Sequence, residues 1–161
     1  MKKQLKIVVL AKQVPDTRNV GKDAMTPEGT VNRAALPAIF NPEDLNALEM
    51  ALALKDETEG STVHILTMGP PRAADIIRGY LLTDRKFAGA DTLATSYALS
   101  CALRKIRPDV IVAGRQAIDG DTAQVGPQVA EKLGWPQVTY AEELLEIKAD
   151  SLVVKRRLEH G

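Results

Sequence analysis

The residues best placed to do chemistry lie between Asp109 and Thr139, in the stretch DVIVAGRQAIDGDTAQVGPQVAEKLGWPQVT. The apolar run Val110-Ile111-Val112-Ala113 has the length and β-branched content of a buried strand. A loop from Gly114 to Gly120 follows it. Asp121 and Gln124 then stand at capping-box spacing, a short acceptor followed by a side-chain amide. A helix starting there offers the backbone N–H groups of Thr122, Ala123, Gln124, Val125 and Gly126, and the positive end of its dipole, to an anion. In an open α/β sheet such a strand–loop–helix joint sits at the carboxyl ends of the strands, where ligands bind. An ordinary βα connection without a ligand has the same pattern.

The loop matches neither common phosphate motif. Gly120 is followed by Asp121-Thr122 and not by Lys-Ser/Thr, and Gly114, Gly120 and Gly126 do not have dinucleotide-fingerprint spacing. Aimed at a phosphate, Asp121 would repel it, so its carboxylate is expected on helix N–H groups or on a ribose hydroxyl. Pro127 removes a backbone bond in the second turn of such a helix, which predicts an irregular first turn wrapped around a ligand. No catalytic residue and no metal ligand is assigned. G-x-S-x-G, H-E-x-x-H and C-x-x-C are absent, and two histidines with one cysteine make a His/Cys metal site a poor expectation. Acidic pairs such as Glu142-Glu143 have the spacing of solvated surfaces.

The elements that must position this stretch follow from the rest of the chain. The length, 161 residues, suits one domain spanning 1–161. Lys and Arg, 21 in all, balance 21 Asp and Glu, which leaves no field to steer nucleic acid or an anionic membrane. Six aromatics are too few for a base-stacking platform. No apolar run has the length of a membrane span, the start lacks a secretory cleavage pattern, and a lone cysteine fits a reducing cytoplasm. Lys6 to Lys12 predicts a first strand apolar on both faces, as in a parallel sheet covered by helices. Gln13 to Thr17 ends it, and Arg18 to Arg33 reads as a long loop or small hairpin. Asn41-Pro42-Glu43-Asp44 predicts a helix start capped by Asn41, with Leu45, Leu48 and Leu52 as its apolar stripe. Thr62 to Met68 is the second strand, with His64 as a satisfied, half-buried side chain.

Gly69-Pro70-Pro71 turns the chain, Ala73 to Arg78 starts a helix, and a strand from Tyr80 to Thr83 follows. That crossover is at the lower limit for a parallel connection, so either the unit is unusually tight or residues are missing around Arg78-Gly79. Ala90-Asp91-Thr92 opens a helix whose predicted stripe is Leu93, Ala94, Tyr97, Ala98, Cys101 and Ala102, closed by Pro108. Val138 to Tyr140 is expected to be a strand. Leu144 to Ile147 and Leu152 to Val154 form a hairpin about Ala149-Asp150-Ser151, and His160-Gly161 ends mid-pattern. On these grounds the chain is an α/β domain with a site for a phosphate-bearing ligand.

Several of these blocks, in order, resemble the β subunit of electron transfer flavoproteins: Val8-Val9-Leu10-Ala11-Lys12-Gln13-Val14-Pro15-Asp16, Asn41-Pro42-Glu43-Asp44, Leu66-Thr67-Met68-Gly69-Pro70-Pro71, and above all Gly114 to Gly126. The resemblance implies a Rossmann-like open, mostly parallel sheet with helices on both faces, here with a C-terminal β-hairpin. It implies an α subunit as partner, itself carrying a redox-active FAD, and an adenine nucleotide on this chain: AMP, or a second FAD in electron-bifurcating members. By position Ala11, Asn41, Asp44 and Thr67 line the adenosine end, and Asp121 to Gly126 hold the phosphates. Lys12, Met68 and Gly114 complete the cofactor-binding set. The stretch Phe87 to Thr95 resembles bifurcating members, in which the helix start at Asp91, Thr92 and Thr95 approaches the second flavin, and Asn32 to Phe40 points the same way. A bifurcating member takes a hydride from NADH and divides the electrons between the α-subunit FAD and a low-potential carrier, ferredoxin or flavodoxin. An acyl-CoA dehydrogenase-type or other flavoprotein dehydrogenase is the further partner implied. Against the family pattern, residues around Arg78-Gly79 and a C-terminal arm are absent. An alternative with the same sheet is a nucleotide-binding regulatory module of the universal-stress type. An adenylating enzyme would need a Ser-Gly-Gly-rich loop where Gln13-Val14-Pro15-Asp16 stands.

Overall fold

A computed structural model describes residues 4–16, 18, 21, 24–27, 29, 32, 36–77 and 79–158. In chain order its elements are β1 (Lys6–Leu10), β2 (Gln13–Pro15), β3 (Ala38–Phe40), α1 (Pro42–Asp56), β4 (Thr62–Met68), β5 (Tyr80–Leu82), α2 (Thr92–Ile106), β6 (Val110–Ala113), α3 (Val125–Leu133), β7 (Ala141–Ile147) and β8 (Leu152–Arg156), with short 3-10 turns at Pro71–Asp75 and Arg85–Phe87. The central sheet has the order β5-β4-β1-β6, and every pairing in it is parallel.

β1 lies at the middle of this sheet, and its alternation builds two cores. Val8 and Leu10 pack with Leu66, Leu99, Leu103 and Val129 beneath α2 and α3, while Ile7 and Val9 pack with Ala47, Ala51 and Leu54 beneath α1. Helices therefore cover both faces of an open parallel sheet, a Rossmann-like arrangement completed by the antiparallel β7–β8 hairpin. The chain runs outward from β1 through β4 to β5, then returns to the other side of β1 as β6. In open α/β sheets such a reversal is where ligands bind, here at the carboxyl ends of β1 and β6.

Five expectations change. The α1 stripe is rotated: Leu45 and Leu52 face outward, and Asp44, Ala47, Ala51 and Leu54 face inward, because small alanines let the helix approach β1 closely. In α2, Leu93 and Tyr97 are 58% and 62% exposed, and the buried face is Ser96, Leu99, Ser100 and Leu103. The serines are buried because each satisfies itself on its own helix, Ser96 Oγ donating to the Leu93 carbonyl and Ser100 Oγ to the Ser96 carbonyl, at 2.9 and 2.6 Å. The residues after β1 are not merely a strand end: β2 pairs with β3 in a small antiparallel ribbon at the base of the long excursion. Much of that excursion, including Arg33, Ala34 and Ala35, lies outside the described residues. The crossover from β4 to β5 uses the 3-10 turn Pro71–Asp75 and not a helix, with Ala73 and Ile77 buried; Arg78, like His160 and Gly161, lies outside the described residues. Gly79 is pressed against β4, where a Cβ would lie 2.4 Å from the Ile65 carbonyl oxygen.

The fifth change concerns Val138 to Tyr140, which form no strand. The hairpin captures them instead. Arg156 donates from Nε to the Thr139 carbonyl at 2.8 Å and from Nη2 to Thr139 Oγ1 at 3.0 Å, and the Arg157 N–H donates to the Tyr140 carbonyl at 2.9 Å. Leu144 and Ile147 of β7 reach the core beneath α1, anchoring the hairpin to the domain. Among the described residues, no helix is long and apolar enough to cross a membrane.

Candidate functional site

The chain segments that follow β1 and β6 meet at this switch point, and buried polar side chains from the start of α1 fasten both. Asn41 carries no cap bond to its own helix, contrary to the sequence expectation. It is fully buried and reaches across: Nδ2 donates to the Gln116 carbonyl at 2.9 Å, Oδ1 accepts from the Ile118 N–H at 3.2 Å, and its own N–H donates to the Lys12 carbonyl at 2.9 Å. Asp44 accepts the Lys12 N–H on Oδ2 at 2.8 Å. Its other carboxylate oxygen lies against Gly114, where a Cβ would come within 2.4 Å of it and within 2.8 Å of the Glu43 carbonyl carbon and oxygen. Gly114 is therefore required by the close approach of β6 to the first turn of α1. Lys12 pairs with Asp119 at 2.7 Å, and the Asp119 side chain is 3% exposed. Burial pushes the Asp44 carboxyl up to about 6, only partly offset by hydrogen bonds from Asn41 and the Lys12 N–H. Glu43 pushes it further upward and Lys12 opposes that, both by charge.

Beyond this fastened loop the backbone is left open. The N-cap of α3 is Gln124, not Asp121, and its side chain makes no cap bond. Asp121 and Ala123 have φ of +49° and +52°, a left-handed conformation unusual for residues with a Cβ. Asp121 turns to the loop, accepting from Gln116 Nε2 at 2.7 Å, and makes no bond to the helix N–H groups. The later start also resolves Pro127, which falls in the first turn of α3, where a missing N–H costs nothing. The N–H groups of Thr122, Ala123, Gln124, Val125 and Gly126 have no protein acceptor among the described residues. Left-handed Ala123 followed by right-handed Gln124, at φ −110° and ψ −26°, turns consecutive N–H groups toward one side, forming an anion nest at a helix N-terminus. A Cβ on Gly126 would meet only Ala113 Cβ, at an ordinary 3.5 Å. Protein packing therefore does not demand glycine there, whereas a ligand lying on the N–H groups would. These features fit the phosphates of a nucleotide.

The remaining sequence-selected positions divide between the two faces. Thr67, next in chain after Leu66, which accepts the Ala11 N–H at 3.0 Å, is 1% exposed and its hydroxyl has no partner among the described residues. Leu66 and Met68 face α2 and α3, so by strand alternation Thr67 faces α1, as Asn41 and Asp44 do. On the other face, Thr92 Oγ1 donates to Gln124 Oε1 at 3.0 Å and accepts from Gln128 Nε2 at 3.3 Å, which joins the starts of α2 and α3. Asp91 caps α2 by accepting the Ala94 N–H at 2.7 Å, and Thr95 in the same turn donates its N–H to the Asp91 carbonyl at 3.0 Å. Ala11 and Lys12 follow β1, and Gly114 follows β6, at the carboxyl ends of those strands. Sequence reasoning missed Gln116, Ile118, Asp119 and Gln128. The first three lie inside the Gly114–Gly126 block, and Gln128 has helical spacing from Gln124.

The electron transfer flavoprotein domain profile matches residues 28–161. The chain is 48% identical over 167 residues to the caffeyl-CoA reductase-Etf complex subunit CarD of Acetobacterium woodii, covering 98% of this chain and 63% of that protein. It is 52% identical over 169 residues to the acryloyl-CoA reductase electron transfer subunit gamma of Anaerotignum propionicum, with 98% and 62% covered. To an electron transfer flavoprotein subunit beta of Clostridium acetobutylicum it is 49% identical over 166 residues, again with 98% and 62% covered. The chain thus spans less than two thirds of the length of these curated relatives. Each matched stretch is also longer than the 161 residues available, so each relative has residues inside it that face a gap here. With its profile match taking in well over half of the chain, this protein belongs to the electron transfer flavoprotein domain family.

Proposed function

We propose that the chain is the nucleotide-binding part of an electron transfer flavoprotein β subunit, acting in the cytoplasm beside an α subunit, and that its nucleotide is FAD. The observation that carries this reading is the run of unpaired N–H groups from Thr122 to Gly126, shaped by left-handed Asp121 and Ala123 at the carboxyl end of β6. Asn41, Asp44 and Thr67 would bound the adenosine, with the orphaned Thr67 hydroxyl gaining a partner, and the nest would hold the phosphates. The protein's part is positioning: Lys12–Asp119 and Asn41–Gln116 fix the loop, and the helix starts favour negative charge. Flavin, when bound, supplies hydride acceptance and single-electron transfer.

The relatives named for caffeyl-CoA and acryloyl-CoA reductase support a bifurcating role. In that role, as the family resemblance implies, NADH would be the donor, the α-subunit FAD and a ferredoxin or flavodoxin the acceptors, and an acyl-CoA dehydrogenase-type flavoprotein a partner. One observation favours AMP as the second reading: the Thr92 hydroxyl is already held by Gln124 and Gln128, so it does not call for a flavin. Co-purification with the α subunit, followed by denaturation and counting of released FAD and AMP, decides between them. Two FAD per αβ pair is the expected result, and one FAD with one AMP supports the second reading. No nucleotide on this chain would overturn both.

A further inference from the structure

We propose that Gln128 selects a ligand that continues past the phosphates, by hydrogen-bonding it through the buried end of its side-chain amide. This rests on the nucleotide reading above. The amide is held at one end, where Nε2 donates to Thr92 Oγ1 at 3.3 Å. Thr92 in turn passes its only hydroxyl proton to Gln124 Oε1 at 3.0 Å. At the other end, Gln128 Oε1 is buried and has no partner among the described residues.

One hydroxyl proton means that the chain Gln128–Thr92–Gln124 runs in one direction at a time. Run as found, it turns a carbonyl inward; run in reverse, with both amides flipped, it would turn an NH2 group inward. Either way a strong polar group stays buried and unpaired, which is unfavourable until a partner meets it. A bound group bearing an N–H or O–H donor removes that cost.

The placement identifies which part of a ligand this is. Gln128 stands on α3 just beyond Gly126 and is bonded to the start of α2, while Asn41, Asp44 and Thr67 face α1 across the sheet. A nucleotide lying from the α1 side onto the nest reaches Gln128 only if it extends beyond its phosphates. The ribityl hydroxyls and the imide N–H of FAD are donors of that kind, and AMP has nothing there.

The test uses the full chain in complex with its α subunit, stripped of nucleotide and titrated separately with FAD and with AMP. Gln128→Met, which keeps length and loses polarity, should weaken FAD about two- to tenfold and leave AMP unchanged. Should that variant fail to fold, Gln128→Asn withdraws the amide by one methylene and should show the same split. Equal weakening of both ligands, or of neither, overturns the inference while leaving the nucleotide site standing, and a fall in melting temperature alone assigns Gln128 to the α2–α3 joint. Wild-type protein that binds neither ligand on this chain would sink the nucleotide reading itself.

Discussion

Gly114 in the loop after β6 and Gly126 in the first turn of α3 face opposite constraints, and replacing each by alanine separates packing from binding. At Gly114 a Cβ would sit 2.4 Å from one Asp44 oxygen and 2.8 Å from the Glu43 carbonyl group. Neither neighbour can yield easily. Asp44 is held through its other oxygen by the Lys12 N–H at 2.8 Å, and the Glu43 carbonyl is backbone in the first turn of α1. Relief requires the start of α1 to retreat, which stretches the Asp44 bond and both Asn41 bonds to the loop. Overpacking of this kind costs about 1–3 kcal/mol, and each weakened hydrogen bond adds about 1 kcal/mol. A destabilisation of about 3 kcal/mol lowers the melting temperature of a domain this size by about 6–12 °C. Gly126→Ala meets only Ala113 Cβ at 3.5 Å and exchanges a poor helix former for the best one, so its melting temperature should hold or rise. Its nucleotide should nevertheless be lost, because the methyl group stands where the phosphates approach. The assay is a thermal melt of each purified variant, paired with nucleotide released on denaturation. A Gly114→Ala melt within a degree of wild type would refute the packing argument, and full nucleotide retention by Gly126→Ala would refute the nest.

Three further outcomes follow from the same contacts. The raised Asp44 carboxyl, about 6 against an ordinary 3.8, makes the folded state bind the extra proton between those values, so this group favours folding below about pH 4 and that contribution is lost as pH rises through 6. It amounts to about 3 kcal/mol, so melts from pH 4 to 8 should show Asp44→Asn gaining on wild type as pH rises, and parallel profiles would count against it. Lys12→Met leaves the buried Asp119 without its ammonium partner and should destabilise by about 1–2 kcal/mol after allowing for the exposure of Lys12 to water, measured by urea unfolding. Thr67→Val keeps shape and removes an unpartnered hydroxyl, so the nucleotide-free chain should be as stable as wild type or about 1 kcal/mol more stable while nucleotide affinity falls; unchanged affinity in a titration would place that hydroxyl outside the site.

The pattern of what could be read from residues alone has a physical cause. β1, β4 and β6 and the starts of α1 and α2 were legible because they obey local rules: apolar runs of strand length, Pro42 at a first helical position, Asp91 accepting from its own helix. Misreadings arose where a polar residue bonds across elements. Asn41 looks like a cap and instead fastens a loop 75 residues away. Asp121 and Gln124 have capping-box spacing, yet Asp121 answers to Gln116 and Gln124 to Thr92, which delays the helix and frees the N–H groups. The buried serines of α2 and alanines of α1 hide the inward faces for a different reason, since side chains that pack closely need not be large. Val138 to Tyr140 have strand character but are captured by Arg156 and Arg157 of the hairpin. The long-range polar bonds, unlike the packing misreadings, gather around one switch point. Local preference is overruled there to hold loops apart with their N–H groups unpaired, and such a conflict persists where a ligand, absent from any local rule, restores the balance.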